Sequence, residues 1–303
     1  MAGDGAIRCI VTGSNGLVGA RLSRLLSARG HEVLGLSRGP RRAEGAFSYQ
    51  PCELTDAGAV LAAVKGFRPD VVFNPAAVTD VDGCERDRAM AWAVNVEAVA
   101  SLGRACAEAG AHLVHVSTDY VFDGEAGPYA EDAVPNPRGA YATTKWLGEQ
   151  AARYHVPGAT VARTAVVYGW PAAGRPNFGS WLLSSLFAGK SVQLFEDQWV
   201  SPSYADNVAE MLAELGERRL GGVFHAAGAE VVDRLTFGRA LCERFGFDPA
   251  LVRGSRLSDA RLLSPRPRHS GLRVDRAQGL AAKPLGLGAS LERLYEAFHA
   301  TQA

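Results

Sequence analysis

Apolar residues in the first half of the chain gather in short β-rich runs separated by stretches with helical spacing. Residues 7–11 (Ile-Arg-Cys-Ile-Val) form the first run. Others follow at 31–36, more weakly at 47–50, then at 71–73, 113–117 and 160–167. Between them, residues 20–29 carry Leu22, Leu25 and Leu26 at helical spacing, and 57–65 and 89–109 also read as helices. Regular alternation of strand and helix predicts an α/β chain built on a doubly wound parallel sheet.

The character changes after Tyr168-Gly169. Pro171, Gly174, Pro176 and Gly179 predict a loop, with helical patterns at 181–187, 204–215, 235–245 and 291–298. Residues 223–225 form a short run able to return to the sheet. Residues 265–270 (Pro-Arg-Pro-Arg-His-Ser) are basic and extended. The expected division is a dinucleotide-binding domain over 1–167, with a returning segment at about 200–227, and a smaller, discontinuous C-terminal substrate lobe from 168–199 and 228–303. Arg253, Arg256, Arg266 and Arg268 in that lobe suit a phosphorylated substrate.

Composition narrows the classes. The chain has 303 residues, 47% hydrophobic and 21% charged, enough for a sizeable core. Lys plus Arg and Asp plus Glu each number 32, so no polybasic character points to nucleic acid or a membrane surface. No apolar run approaches the ~18–20 residues of a membrane span, and residues 1–5 show no signal-peptide pattern. The five cysteines (Cys9, Cys52, Cys84, Cys106, Cys242) form no pair or cluster with metal-ligand spacing, which predicts a reducing cytoplasm and no zinc site. The seven histidines form no cluster either, and His115 and His225 lie within apolar strands as structural residues.

Candidate chemistry begins at Thr12-Gly13-Ser14-Asn15-Gly16-Leu17-Val18-Gly19, between the first strand and the first helix. In that context each glycine has a role: a tight turn, close approach of a pyrophosphate, and close helix–strand packing. The phosphates would sit on the helix N-terminus. The second strand ends Leu36-Ser37-Arg38, without the carboxylate that binds an unphosphorylated ribose. Ser and Arg there favour NADPH, with NADH possible.

A second group lies further on. Tyr141 and Lys145 stand four apart, on one helix face if Asn136 caps that helix and Pro137 opens it. A phenol beside an ammonium is expected to have a lowered pKa and to exchange a proton with a substrate oxygen. Thr118 ends the fifth strand, where the ligand crevice of an open parallel sheet lies, and its hydroxyl could donate to a carbonyl oxygen. Small residues after the fourth strand (Asn74-Pro-Ala76-Ala77) would let a cofactor lie close. Asn95, on an Ala/Val-rich face, reads as a brace for the strand ends.

With these motifs, Ser117-Thr-Asp-Tyr-Val-Phe-Asp-Gly124, Pro128-Tyr-x-Glu-Asp132, Arg163-Thr164, Val167-Tyr-Gly169 and Arg266-Pro-Arg-x-Ser270, the chain resembles the extended short-chain dehydrogenase/reductases. Within them it is most similar to the dTDP-4-dehydrorhamnose reductase family. The resemblance implies a Rossmann fold and NADPH-dependent reduction of the 4-keto group of a nucleotide-linked 6-deoxyhexose, in deoxysugar biosynthesis. It implies Thr118, Tyr141 and Lys145 as catalytic residues. It places the cofactor against Gly13, Ser14, Asn15, Gly16, Leu17, Val18, Ser37, Arg38, Glu53, Leu54, Asn74, Ala76, Ala77, Asn95, Ser117, Tyr141 and Lys145. Asp119, Tyr120, Asn177, Gln198 and Arg266 would contact a nucleotide-sugar substrate. A monomer or homodimer is expected.

The chain departs from that pattern at three places. Ala165-Val166 replaces Ser-Trp after Arg-Thr, and Asp197-Gln-Trp-Val-Ser-Pro-Ser203 lacks the usual Gly and Thr. Arg21 stands where some members carry a magnesium-binding Glu, so no metal is expected. Two alternatives stay open: a sugar-nucleotide epimerase or dehydratase of the same superfamily, and a non-catalytic NADP-binding regulatory subunit like that of methionine adenosyltransferase.

Overall fold

The structure, a computed structural model, describes residues 5–170 and 176–301; Pro171 and Gly174, expected in a loop, lie outside the described residues. In chain order the strands are β1 (Arg8–Thr12), β2 (Glu32–Ser37), β3 (Ser48–Pro51), β4 (Val71–Asn74), β5 (His112–Thr118), β6 (Thr160–Thr164), β7 (Val167–Tyr168), β8 (Val192–Phe195), β9 (Trp199–Val200), β10 (Ser203–Tyr204), β11 (Gly222–His225), β12 (Val232–Asp233) and β13 (Val252–Ser255). The α-helices are α1 (Leu17–Ala28), α2 (Ala57–Phe67), α3 (Val81–Arg86), α4 (Arg88–Trp92), α5 (Ala98–Ala109), α6 (Ala140–His155), α7 (Phe178–Phe187), α8 (Ala205–Glu217), α9 (Arg234–Phe245) and α10 (Leu287–Ala300).

Seven strands form one parallel sheet in the order β11-β6-β5-β4-β1-β2-β3. The chain runs outward from β1 to β3, then returns to β4 on the other side of β1. That reversal is the topological switch point of a doubly wound sheet. Alternation within the strands explains why both faces are covered. Cys9, Val11, Val71, Phe73, Val114 and Val116 point to one face, into a core shared with α1 and α8. Ile10, Val72 and Leu113 point to the other, against α2, α5 and α6. A third apolar cluster joins α7, α9 and α10 with β8 and β13 through Leu182, Leu194, Phe237, Val252 and Leu294. It is made entirely by residues beyond 167, whereas Leu272, Val274, Ala277 and Leu280, expected in the smaller lobe, pack instead in the first core of the sheet.

Local sequence sets most helix ends. Asp56, Asp80, Asp87, Asn177 and Asp233 each accept a backbone N–H of the first turn of a helix. Gly110 and Gly246 close α5 and α9 in the left-handed region. Three expectations need correction. Helix α6 starts at Ala140, not at Asn136-Pro137: Asn136 instead donates to Asp123 Oδ2 at 2.7 Å. The N-terminal N–H of Ala140 is satisfied from a distance, by Glu85 Oε1 of α3 at 2.6 Å. The sixth strand does not run to residue 167; it breaks after Thr164, and Val166 adopts φ 43° before β7 begins. The helical stretch 89–109 is interrupted by a π-helical turn at Ala93–Glu97 that holds Asn95.

All five cysteines are buried and free. Among the described residues no helix is long and apolar enough to cross a membrane.

The strongest tie between sheet and helix in this region is a buried ion pair. Arg163 on β6 meets Glu149 on α6 twice, Nε to Oε1 at 2.9 Å and one terminal nitrogen to Oε2 at 2.8 Å. Both side chains are almost fully buried, and the guanidinium lies over the Phe122 ring. Replacing one partner strands the other charge in the interior. Glu149→Ala is therefore expected to lower the unfolding free energy by about 3–5 kcal/mol, read from urea denaturation.

Candidate active site

The C-terminal ends of β1, β2, β4 and β5 open onto one edge of the sheet, and the first glycine turn lies there. Gly13 has φ 57° and packs against Ala76, to which a Cβ would come within 3.1–3.3 Å. A Cβ at Gly19 would collide with the Gly13 carbonyl. The turn is thus pressed against the loop after β4, and only glycine permits it. Leu17 and Val18 begin α1, so their N–H groups lack intrahelical partners. Asn15 does not point outward. Its amide donates to the Pro40 carbonyl at 3.0 Å and accepts from Arg42 N at 2.8 Å, which holds the loop after β2.

In that loop Arg41 closes on its own backbone, through the carbonyls of Ala43, Phe47 and Gly45, and stacks on Phe47. Arg38 and Arg42 are exposed, with no side-chain partner among the described residues. Ser37 keeps its carbonyl on Tyr49 and Cys52. Glu53 is exposed just past β3, and Leu54 is half-buried against the α2 side of the core. Ser14 Oγ and Ser117 Oγ are buried without any hydrogen-bond partner. A close backbone cradle, two partnerless buried hydroxyls and two free guanidinium groups fit a phosphorylated dinucleotide.

Asn74 is buried in a chain that fixes the floor: Thr12 Oγ1 donates to its Oδ1 at 2.6 Å, and its amide meets His115 Nδ1 at 3.1 Å. Burial, then the Lys145 charge, hold the His115 imidazole well below its usual range, so it stays neutral and structural. Asn95 was named among the cofactor contacts, but its amide is used otherwise. Its Oδ1 accepts Val78 N at 2.9 Å, and its Nδ2 donates to Val78 O at 3.1 Å and Thr144 Oγ1 at 3.2 Å. It braces the β4 loop, carrying Ala76 and Ala77, against α6.

Tyr141 and Lys145 both lie buried on α6, facing the end of β5. Lys145 Nζ donates to the Val116 carbonyl at 2.7 Å. Burial pulls its pKa down to about 8, with Glu149 opposing. The phenol does not follow the expected direction. Burial among Cys84, Ala91 and Tyr120 pushes Tyr141 upward, with a hydrogen bond to Thr118 opposing. Desolvation outweighs the expected ammonium effect, and Tyr141 holds its proton at neutral pH.

Thr118 also differs from expectation. Its hydroxyl donates to Asp119 Oδ1 at 3.0 Å and accepts Tyr120 N at 3.2 Å, so its hydrogen is turned away from a substrate carbonyl. Asp119 is buried and its other oxygen accepts Ser270 Oγ at 2.6 Å. With both oxygens engaged it is a support and not the substrate contact it was expected to be.

The other substrate residues divide. Asn177 is a helix cap: it accepts Ser180 N at 3.1 Å and donates to Gly169 O at 2.9 Å, so it is removed from the substrate set. Gln198 is buried, accepts Arg234 Nε at 3.1 Å and reaches Tyr120. Arg266 pairs with Asp82 of α3 at 3.0 Å. Arg256 and Arg268 pair with Glu196 and Asp197, and Arg253 is exposed on β13.

A further cation near the end of β5 is Arg234. It stacks over Phe178 at 4.6 Å, and its charge is felt by Asp119 and Tyr120. Sequence reading passed over it because it opens α9 directly after the Asp233 cap and belongs to no motif. Arg21 is buried, bonded to Asp206 at 2.8 Å and to the carbonyls of Leu17 and Trp170. At the end of β6, Val166 is a half-buried, β-branched residue in the left-handed region. Such strain is concentrated at functional sites.

Known proteins resemble this chain along most of their length. The chain is 38% identical over 270 residues to a dTDP-4-dehydrorhamnose reductase of Mycobacterium tuberculosis, covering 87% of this chain and 83% of that one. It is 34% identical over 252 residues to the methionine adenosyltransferase 2 subunit beta of Xenopus tropicalis, covering 81% and 74%. A crystal structure of a hypothetical dTDP-4-dehydrorhamnose reductase from Sulfolobus tokodaii superposes with a TM-score of 0.82 at 34% identity, over 93% of this chain and 98% of that one. Residues 7–298 match the family described as RmlD substrate binding domain, and the chain belongs to that family.

Proposed function

We propose that the protein is an NADPH-dependent reductase acting on the 4-keto group of a nucleotide-linked 6-deoxyhexose, in the cytoplasm. The observation that carries this reading is the convergence of the glycine turn, the partnerless Arg38 and the Thr118/Tyr141/Lys145 group on one edge of the sheet. The similarity to reductases of the same family supports it.

When bound, NADPH would supply the hydride that the keto carbon receives. The first-turn N–H groups of α1 and the Gly13–Gly19 backbone hold its diphosphate. Ser37 and Arg38 hold the 2′-phosphate, and Ser117 at the end of β5 offers a hydroxyl that lacks a partner inside the chain. Lys145 has two ammonium hydrogens beyond the one on Val116 and directs them to the nicotinamide ribose. Tyr141 keeps its proton until an alkoxide, a stronger base than phenolate, forms beside it. It then protonates that oxygen. Burial suits this task, since a donor in a reduction must arrive protonated. In this reading α7, α9 and α10, with β8 and β13, form the lobe that faces the crevice from the other side. Arg234, positioned by Gln198 and Phe178, meets negative charge on the nucleotide sugar.

The decisive assay supplies purified protein with NADPH and a dTDP-4-keto-6-deoxyhexose and follows NADPH absorbance. Turnover is expected, and Tyr141→Phe should reduce kcat by about 10²–10⁴-fold with little change in KM. NADPH binding without turnover on any keto sugar nucleotide would reject the reductase reading in favour of a regulatory subunit.

Cofactor choice has its own test. Arg38→Ala is expected to weaken NADPH binding roughly 10–100-fold, the size of one or two charge-assisted hydrogen bonds, and leave NADH binding nearly unchanged. Equal losses for the two cofactors, measured by fluorescence titration, would remove Arg38 from the phosphate site.

A further inference from the structure

We propose that Ser270 and Asp119 are positioning residues for the proton donor: together they fix which way the Thr118 hydroxyl hydrogen points, and so whether Thr118 accepts from Tyr141 or donates to it. This rests on the reading of Tyr141 as the acid of the reaction. A threonine hydroxyl has one hydrogen and two lone pairs. Here the hydrogen goes to Asp119 Oδ1 at 3.0 Å, one lone pair takes Tyr120 N–H at 3.2 Å, and the Tyr141 phenol lies within hydrogen-bonding reach of the same oxygen, able to take that hydrogen when Asp119 releases it. A hydroxyl that accepts from the phenol favours its protonated form, and one that donates favours the phenolate. The Asp119 carboxylate, which can only accept, makes that choice.

Ser270 holds Asp119 in place. Its hydroxyl donates to Asp119 Oδ2 at 2.6 Å, it is fully buried, and its own N–H is pinned to the Trp199 carbonyl at 3.0 Å. The two residues are 151 positions apart, so this contact ties the basic extended segment of the smaller lobe to the end of β5. Gly124 continues the tie: its carbonyl accepts His269 N at 3.0 Å, and its lack of a Cβ leaves room for Pro267.

Other charges around Asp119 are few. Arg234 of α9 faces it, Tyr120 follows it in the chain, and Tyr141 of α6 feels its charge. Arg266 acts on Tyr120 and Arg234. Burial raises the Asp119 carboxyl to about 6, against the hydrogen bonds from Ser270 and Thr118 and the Arg234 charge. Above that pH the carboxylate holds the Thr118 hydrogen. Below it, a protonated Asp119 donates to Thr118 and releases that hydrogen toward Tyr141.

The test needs no turnover. Protein labelled with 13C at tyrosine Cζ is titrated from pH 5 to pH 8, the Tyr141 resonance being the one missing in Tyr141→Phe. The Tyr141 signal should show a step centred near the Asp119 value of about 6. Asp119→Asn and Thr118→Val should each abolish the step. Ser270→Ala should move it upward by roughly one pH unit, the size of one lost hydrogen bond, and Ser270→Thr should restore it. A step that persists in Thr118→Val would overturn transmission through Thr118. An unmoved midpoint in Ser270→Ala would overturn the role of Ser270, and no step in the unsubstituted protein would overturn the whole proposal. In the NADPH assay the acid limb of kcat should move with the same substitutions while KM stays within about twofold. Absence of turnover would count against the reductase reading, and the resonance titration would still decide this one.

Discussion

All seven strands of the central sheet run the same way, and the position of the ligand edge follows from that constraint. A parallel sheet delivers all its strand C-termini to one edge. The helices that connect them cover both faces, so ligand chemistry has only that edge to occupy. The reversal between β1 and β4 opens the edge at the point where Gly13 packs so closely on Ala76 that a Cβ would crowd it. Thr118 at the end of β5 and Tyr141 and Lys145 on the following helix then need no special device to reach the same crevice. Chain direction alone brings them there.

Burial, more than pairing, governs the charges at that edge. Lys145 is pulled down to about 8, His115 is held neutral, and Tyr141 is pushed up, in each case with burial as the largest cause. A surface Tyr-x-x-x-Lys pair would depress the phenol, which is what spacing alone predicts. The same pair in the interior behaves in the opposite way because desolvation of the phenolate outweighs its attraction to an ammonium. Asp119 keeps a carboxylate in this setting because Ser270, Thr118, Arg234 and its own backbone N–H all oppose the effect of burial.

How much of this could be read from the sequence depended on the span of the interaction. The strand alternation, the glycine turn and the returning strand β11 were all legible, since each is written in a period or a turn within about thirty residues. The start of α6 was not. Asn136-Pro137 is a good local signal for a helix, but Asp123 competes for Asn136, and Glu85, 55 residues away, supplies the cap. Asn177 failed for the reverse reason. It was given a ligand role by resemblance, while its neighbours Ser180 and Gly169 use its whole amide for a cap.

The arginines carry the same lesson to the substrate side. Four were legible as a basic cluster, but three of them pair with carboxylates, Arg256 with Glu196, Arg266 with Asp82 and Arg268 with Asp197, so count alone says little about which charge is free for a ligand. Arg234 has no motif, yet it reaches Asp119 and Tyr120. What places it there is not its sequence neighbourhood but the docking of α9, whose Phe237 and Leu241 sit in the core of the smaller lobe. The local chain therefore specifies the cofactor edge, and the docking of α9 decides that Arg234 faces Asp119 and Tyr120. Substitutions in that distant core are the ones able to change the substrate side while leaving the dinucleotide turn intact.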